Sequence, residues 1–235
     1  MTTTLITGAN KGLGLETARR LVEARHTVYV GARDADRGRT AAERIGARFV
    51  LLDVTDDASV QAAAKTVEAD GGLDVLVNNA GIELRGPDNS VPAAGDTTAD
   101  EMRTVFETNV FGVVRVTHAF LPLLQRSPAP VVVNVSSGLA SLAGLSDPDS
   151  PAHFYQALAY PSSKTAVNMI TVQYAKAFPN LRINAVEPGF TATDLNGRTG
   201  TQSVEQGAEI IVRMALTGPD GPTGGYFDIN GPLPW

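Results

Sequence analysis

The chain has 235 residues, with 19 basic and 25 acidic side chains for a formal net charge of −6, and it contains no cysteine. Missing thiols exclude disulfides, thiol nucleophiles and thiolate metal sites, and the mildly acidic balance gives no basic footprint for nucleic acid. At 43% hydrophobic residues it can bury a sizeable core, and no stretch approaches the ~20 apolar residues of a membrane span. Residues 2–6 lack the basic start and apolar run of a secretory signal. The expectation is a cytoplasmic protein that forms a single domain over residues 1–235.

Short apolar, β-branched runs alternate with helix-patterned segments. A strand is predicted over Thr3–Thr7, then a helix over Leu13–Ala24. A strand over Thr27–Val30 leads to a helix capped by Asp34. The third strand, Arg48–Leu52, is followed by a helix over Ala58–Glu68, started by Asp56 or Asp57 and ended by Gly71-Gly72. Next come a strand at Val75–Val77, a long helix over Ala99–Gln125 and a strand at Val131–Val135. A helix over Ala159–Phe178, a strand at Arg182–Val186, a helix over Val204–Leu216 and a strand at Tyr226–Ile229 complete the series. This strict alternation predicts an α/β fold: one Rossmann-type domain with a doubly wound, mostly parallel seven-stranded sheet and helices on both faces.

The first strand runs into Thr7-Gly8-Ala9-Asn10-Lys11-Gly12-Leu13-Gly14 and then into a helix. Gly8 permits the turn, Gly12 lets backbone amides approach a pyrophosphate, and Gly14 allows close helix–strand packing. Amides at a helix start favour an anion. At the tip of the second strand, Ala32 stands near the place of the acid that often holds a ribose 2′-hydroxyl, and Arg33 follows it. Arg33 and Lys11 converging on one spot suit a 2′-phosphate, so NADPH/NADP+ is expected over NAD(H). Asp53, closing the third strand, reads as an adenine contact or as a helix cap.

Tyr160 and Lys164 lie four apart on one helix and so share a face. A neighbouring ammonium favours the phenolate, which would bring a phenol of ordinary pKa about 10 nearer to neutral acid–base work. Together with Asn78-Asn79-Ala80-Gly81, Asn109, Ser136-Ser137, Tyr160-Pro161-Ser162-Ser163-Lys164 and Pro188-Gly189, in that order, the chain resembles the short-chain dehydrogenase/reductase family over essentially its whole length. Lys11 and the stretch Gly31–Gly38 look most like its NADPH-dependent carbonyl reductases.

The resemblance implies a hydride transfer between nicotinamide and a small carbonyl or alcohol substrate. It assigns catalytic roles to Asn109, Ser137, Tyr160 and Lys164. Ser137 would steady the substrate oxygen, Tyr160 would exchange its proton, and Asn109 would hold a water that links Lys164 to solvent. Ser136 competes with Ser137, and the family pattern favours the second serine. Cofactor contacts are implied for Gly8, Asn10, Lys11, Gly12, Leu13, Gly14, Arg33, Asp53, Val54, Asn79, Ala80, Gly81, Tyr160 and Lys164. The same holds for Pro188, Gly189, Thr191 and Thr193, with Thr191 acting through its backbone.

The irregular stretches Gly86–Gly95 and Gly144–His153 are expected to border the substrate pocket, and Asp194–Arg198 to form a lid. The insert before Tyr160 leaves homo-oligomer formation open, with a dimer the leaning. His26, His118 and His153 have no metal-ligand spacing, so no metal is expected. Aromatic and basic residues are not interleaved, so neither nucleic acid nor membrane is an expected partner. Two alternatives stand beside the reductase: an NAD-dependent alcohol dehydrogenase of the same family, and a non-catalytic dinucleotide-sensing protein.

Overall fold

The structure, a computed structural model, describes residues 2–235. Seven strands form one sheet: β1 (Thr3–Thr7), β2 (Thr27–Ala32), β3 (Arg48–Leu51), β4 (Val75–Asn78), β5 (Val131–Val135), β6 (Arg182–Val186) and β7 (Tyr226–Phe227). Their order is β3-β2-β1-β4-β5-β6-β7, and every pairing is parallel. The order reverses between β1 and β4, which opens a crevice beyond the carboxyl ends of those strands.

Eight α-helices occur among the described residues: α1 (Gly12–Glu23), α2 (Ala35–Ile45), α3 (Asp57–Ala69), α4 (Ala99–Phe106), α5 (Gly112–Leu124), α6 (Leu142–Ser146), α7 (Ala159–Ala177) and α8 (Val204–Ala215). Two apolar layers result. Leu21 of α1, Ala41 of α2 and Ile211 of α8 pack with Ile6 and Val133 on one face. Val60 of α3, Phe120 of α5 and Ala175 of α7 pack with Leu5 and Val132 on the other. Adjacent residues such as Leu5 and Ile6 thus enter opposite cores, which is why the strands read as unbroken apolar runs.

Helix starts follow local chemistry. Asp34 accepts from the Arg37 amide at 3.0 Å and Asp56 from the Ala58 amide at 2.8 Å, so both predicted caps are present. The helix expected over Ala99–Gln125 is not uniform: the π-helical turn Glu107–Phe111 separates α4 from α5. The last strand stops at Phe227 rather than Ile229, because the Asp228 carboxylate accepts the Asn230 and Gly231 amides and turns the chain.

A buried polar chain crosses the middle of the sheet. Asn78 and Asn134 are direct partners on β4 and β5. The Asn78 amide donates to Asn134 Oδ1 at 2.8 Å and to Thr117 at 3.0 Å, and Asn134 donates to Thr171 at 2.8 Å.

Candidate active site

The glycine turn is held from β4. Thr7 Oγ1 accepts the Asn79 and Ala80 amides, each at 3.0 Å, and the Asn79 side chain donates to Thr7 O at 2.8 Å. A Cβ on Gly14 would lie 2.5 Å from Asn79 Nδ2 and 2.9 Å from Gly8 O, so only glycine fits there. Gly8 and Gly12 both have positive φ, 65° and 55°. The first turn of α1 has neither a side-chain cap nor an acidic residue. Its bare amides therefore fit a dinucleotide pyrophosphate. Leu13 packs into the layer beneath α8, and Val54 is buried against Gly112, so these two offer a cofactor backbone rather than side chain.

At the tip of β2, Arg33 is exposed and makes no ion pair among the described residues, whereas Asp34 is occupied by its cap and by Arg37 at 3.5 Å. Asp53 Oδ1 accepts from the Thr55 amide and hydroxyl, at 2.9 and 2.8 Å. The helix cap belongs to Asp56, and Asp53 instead shapes the loop beside the crevice. Lys11 does not converge with Arg33. Its ammonium pairs with Asp194 at 2.9 Å, which a carboxylate across the crevice attracts more strongly than open solvent does.

The four residues proposed for chemistry gather at the carboxyl ends of β4 and β5. Ser137 is partly exposed at the start of a short 3₁₀ turn and lies beside the Tyr160 phenol, on which its hydroxyl exerts a lowering influence. Ser136 points the other way: it is 2% exposed and donates to Asn168 Oδ1 at 2.6 Å. Lys164 is 4% exposed, donates to Val135 O at 2.8 Å, and sets Nζ 5.6 Å from the centre of the Tyr160 ring. Burial pulls the Lys164 ammonium down from 10.5 to about 8. The expected lowering of the Tyr160 phenol does not occur here. Burial pushes it above its ordinary value of 10.0, and the Glu83 carboxylate adds to the push. With Nζ bonded to Val135 O, the ammonium does not offset these effects.

Asn109 sits in the π-helical turn, which rotates its side chain into the crevice wall. Its Oδ1 accepts the Ile82 amide at 2.8 Å; its Nδ2 donates to Ile82 O at 2.9 Å and to Ser163 at 3.0 Å. A Cβ on Gly81 would meet both Asn109 Oδ1 at 3.4 Å and Lys164 Nζ at 3.5 Å, so these polar groups converge over a bare backbone. On the far side, Gly189 adopts φ 77° after Pro188. Thr191 Oγ1 donates to Pro188 O and Gly189 O, and Thr191 O accepts from Asn196 at 2.8 Å. The Thr193 methyl is the nearest neighbour that a Cβ on Gly12 would meet, at 3.7 Å.

Several residues that motif reading did not single out complete the site. The Glu83 side chain is only 5% exposed; it pairs with Arg85 at 2.5 Å and accepts from the Tyr155 hydroxyl. Arg85 also donates to Leu195 O at 3.1 Å and to Asn89 O at 2.9 Å, which ties its own loop to the segment after Thr193. Glu187 lies against Gly138, where a Cβ would sit 3.3 Å from its Oε1, and burial raises its carboxyl above the usual range. Tyr226 donates to Ser137 O at 2.5 Å and stacks on Trp235, 5.5 Å between ring centres. Val91 and Pro92, from the first irregular loop, line the pocket beside Tyr160. The second loop contributes none of its own residues, although Ala157 just after it does. No cluster able to hold a metal ion occurs among the described residues, and no described helix is long and apolar enough to cross a membrane.

A family model described as short chain dehydrogenase matches residues 2–203. A short-chain dehydrogenase of Penicillium roqueforti is 38% identical over 228 residues, covering 91% of this chain and 88% of its own. An isopiperitenone reductase of Mentha piperita is 32% identical, covering 95% of each chain. Among solved structures, the NADPH-bound carbonyl reductase from chicken fatty liver superposes with a TM-score of 0.85 at 26% identity, over 100% of this chain and 99% of that one.

Proposed function

The chain belongs to the short-chain dehydrogenase family and is an NAD(P)-dependent oxidoreductase; from that premise we propose that it reduces small carbonyl compounds with NADPH, using Tyr160 as the proton donor. The observation that carries this reading is the meeting of Ser137, Tyr160 and Lys164 at the crevice. NADPH, when bound, supplies the hydride. The Ser137 hydroxyl donates to the carbonyl oxygen and steadies the charge that develops there. The Tyr160 phenol, kept protonated by burial and by Glu83, delivers its proton to that oxygen. Lys164 holds its ammonium 5.6 Å from the centre of the Tyr160 ring, and would favour the phenolate left behind once Nζ turns from Val135 O toward it.

Preference for NADPH rests on Arg33, a free guanidinium at the tip of β2, beside an Asp34 that its own helix occupies. The bare first turn of α1 would hold the pyrophosphate, and Lys164 and Asn109 face the same bare backbone at Gly81.

The test is NADPH oxidation with a panel of ketones, aldehydes and quinones, in the wild-type protein and in Tyr160→Phe. Tyr160→Phe should lose about a hundredfold or more in kcat while still binding NADPH. Equal kcat/KM with NADH and NADPH would overturn the cofactor preference. NADPH binding without turnover of any carbonyl would favour a dinucleotide-sensing protein instead.

A further inference from the structure

The pocket that opens beside Tyr160 has apolar walls from Leu84, Val91, Pro92 and Ala157, and two of the residues lining it, Glu83 and Glu101, are acids; none is a base. Glu101 spends one oxygen on the cap of α4, accepting from the Thr98 amide and hydroxyl at 2.7 and 2.9 Å. Glu83 is the deeper of the two, and its partner Arg85 does not line the pocket. The guanidinium donates to Glu83 Oε2 and spends its other donors on Leu195 O and Asn89 O, while Glu83 Oε1 accepts the Tyr155 hydroxyl. Because Glu83 lines the pocket with Tyr160 and Arg85 does not, the negative end of the pair is the end nearer the pocket. At the Tyr160 phenol, accordingly, the carboxylate pushes upward more than the guanidinium pulls downward. Lys164 offers no substitute cation, since its ammonium is buried on Val135 O.

We propose that Glu83 is a specificity-determining residue that makes this pocket discriminate against anionic carbonyl compounds and in favour of neutral and cationic ones. The proposal rests on the reductase reading and deepens it. A substrate carboxylate or phosphate entering the pocket would give up water, meet a fixed negative charge in an apolar surround, and find no free cation. A neutral ketone avoids that repulsion, and a substrate ammonium is attracted. Two carboxylates on the wall separate this pocket from one that is merely apolar, which would reject either sign of charge alike.

The experiment uses three ketones of matched shape: para-ethylacetophenone, para-acetylphenylacetate and para-acetylbenzyl-trimethylammonium. Each is assayed for NADPH oxidation with the wild-type protein and with Glu83→Gln, so that intrinsic reactivity cancels between the two proteins. In the wild type, kcat/KM for the anion should fall about tenfold or more below that for the neutral ketone, with no such loss for the cation. Glu83→Gln should narrow the gap between cation and anion by about the same factor. Parity of anion and neutral ketone, equal rejection of both ions, or an unchanged gap in Glu83→Gln would each overturn the proposal. Should Glu83→Gln not fold, the paired Glu83→Gln/Arg85→Gln protein removes both charges together and should also narrow the gap. If no ketone is turned over, the reductase reading fails. Quenching of Trp235, the single tryptophan, still ranks how tightly the three compounds bind, and the same three results would overturn the charge preference.

Discussion

Lys11 and Asp194 meet at 2.9 Å, so the glycine turn and the segment after Thr193 hold each other across the crevice. Both side chains are well exposed, at 60% and 44%, which keeps the pair weak and exchangeable. Asp194 also receives Arg198 at 3.1 Å, so its negative charge is shared by two cations. Removing that charge should release Lys11 toward a 2′-phosphate. Asp194→Asn is expected to tighten NADPH binding roughly two- to fivefold without changing NADH binding. Titration of each nicotinamide by its fluorescence, at low and high salt, checks this. An equal change for both cofactors would mean that the pair acts on the crevice as a whole.

Arg33 is exposed and makes no ion pair among the described residues, so its removal should leave stability near that of the wild type and act on the cofactor alone. Arg33→Ala should raise the KM for NADPH about tenfold and leave that for NADH nearly unmoved. Steady-state kinetics with both cofactors decide the matter, and a parallel loss with NADH would remove Arg33 from the 2′-phosphate role.

Ser136 and Ser137 are adjacent in sequence but face different environments, and alanine should separate them. Ser137→Ala should cost about a hundredfold in kcat, because the hydrogen bond to the substrate oxygen goes. Ser136→Ala strands the Asn168 amide oxygen in the interior and should cost about 1–3 kcal/mol of stability, with a smaller effect on kcat. Denaturation curves and kcat for both variants provide the comparison. A larger kcat loss at Ser136 would reverse the assignment.

Lys164 links stability to pH. Its folded pKa of about 8 lies below the ordinary 10.5, so between those values the unfolded chain holds a proton that the folded chain has released. Stability therefore rises with pH across this window, as the penalty of burying an ammonium is relieved. Burial raises all five tyrosines, which lowers stability only above their ordinary value near 10. Between pH about 8 and about 10, the wild type should gain roughly 2 kcal/mol relative to Lys164→Met. Urea unfolding of both proteins at the two ends of the window tests this. A constant difference would show that the lysine titrates normally.

Sequence reading reached the parts of the site that local geometry builds. Gly8, Gly12 and Gly14 mark a strand–turn–helix junction, Asp34 and Asp56 announce helix starts, and Tyr160 and Lys164 share a face through helical spacing alone. It missed what contacts between distant segments create. Tyr155 reaches Glu83 from 72 residues away and Tyr226 reaches Ser137 from 89, and no spacing rule foretells either pairing. The π-helical turn around Asn109 was hidden for a related reason. One extra residue per turn leaves the apolar pattern on either side nearly intact, so Ala99–Gln125 reads as continuous helix. The expected drop of the Tyr160 pKa followed from the identity of its neighbour. Burial and the carboxylate of Glu83, neither visible in the motif, outweigh that neighbour.

The asparagine pair at the centre of the sheet works as an alignment key for the halves of the molecule. Valines flank Asn134 on both sides, and Asn78 follows Val77, so strands that slid by one residue would still find apolar partners for most positions. Asn78 would not: a slip either way sets it opposite Val133 or Val135, cut off from its acceptor in a waterless layer. Mispairing is therefore penalised at one spot, even where the surrounding residues barely distinguish right from wrong. Asn79 follows Asn78 directly, and Ser136 and Ser137 lie two and three residues past Asn134. The same key thus sets how far the serine turn stands from the glycine turn.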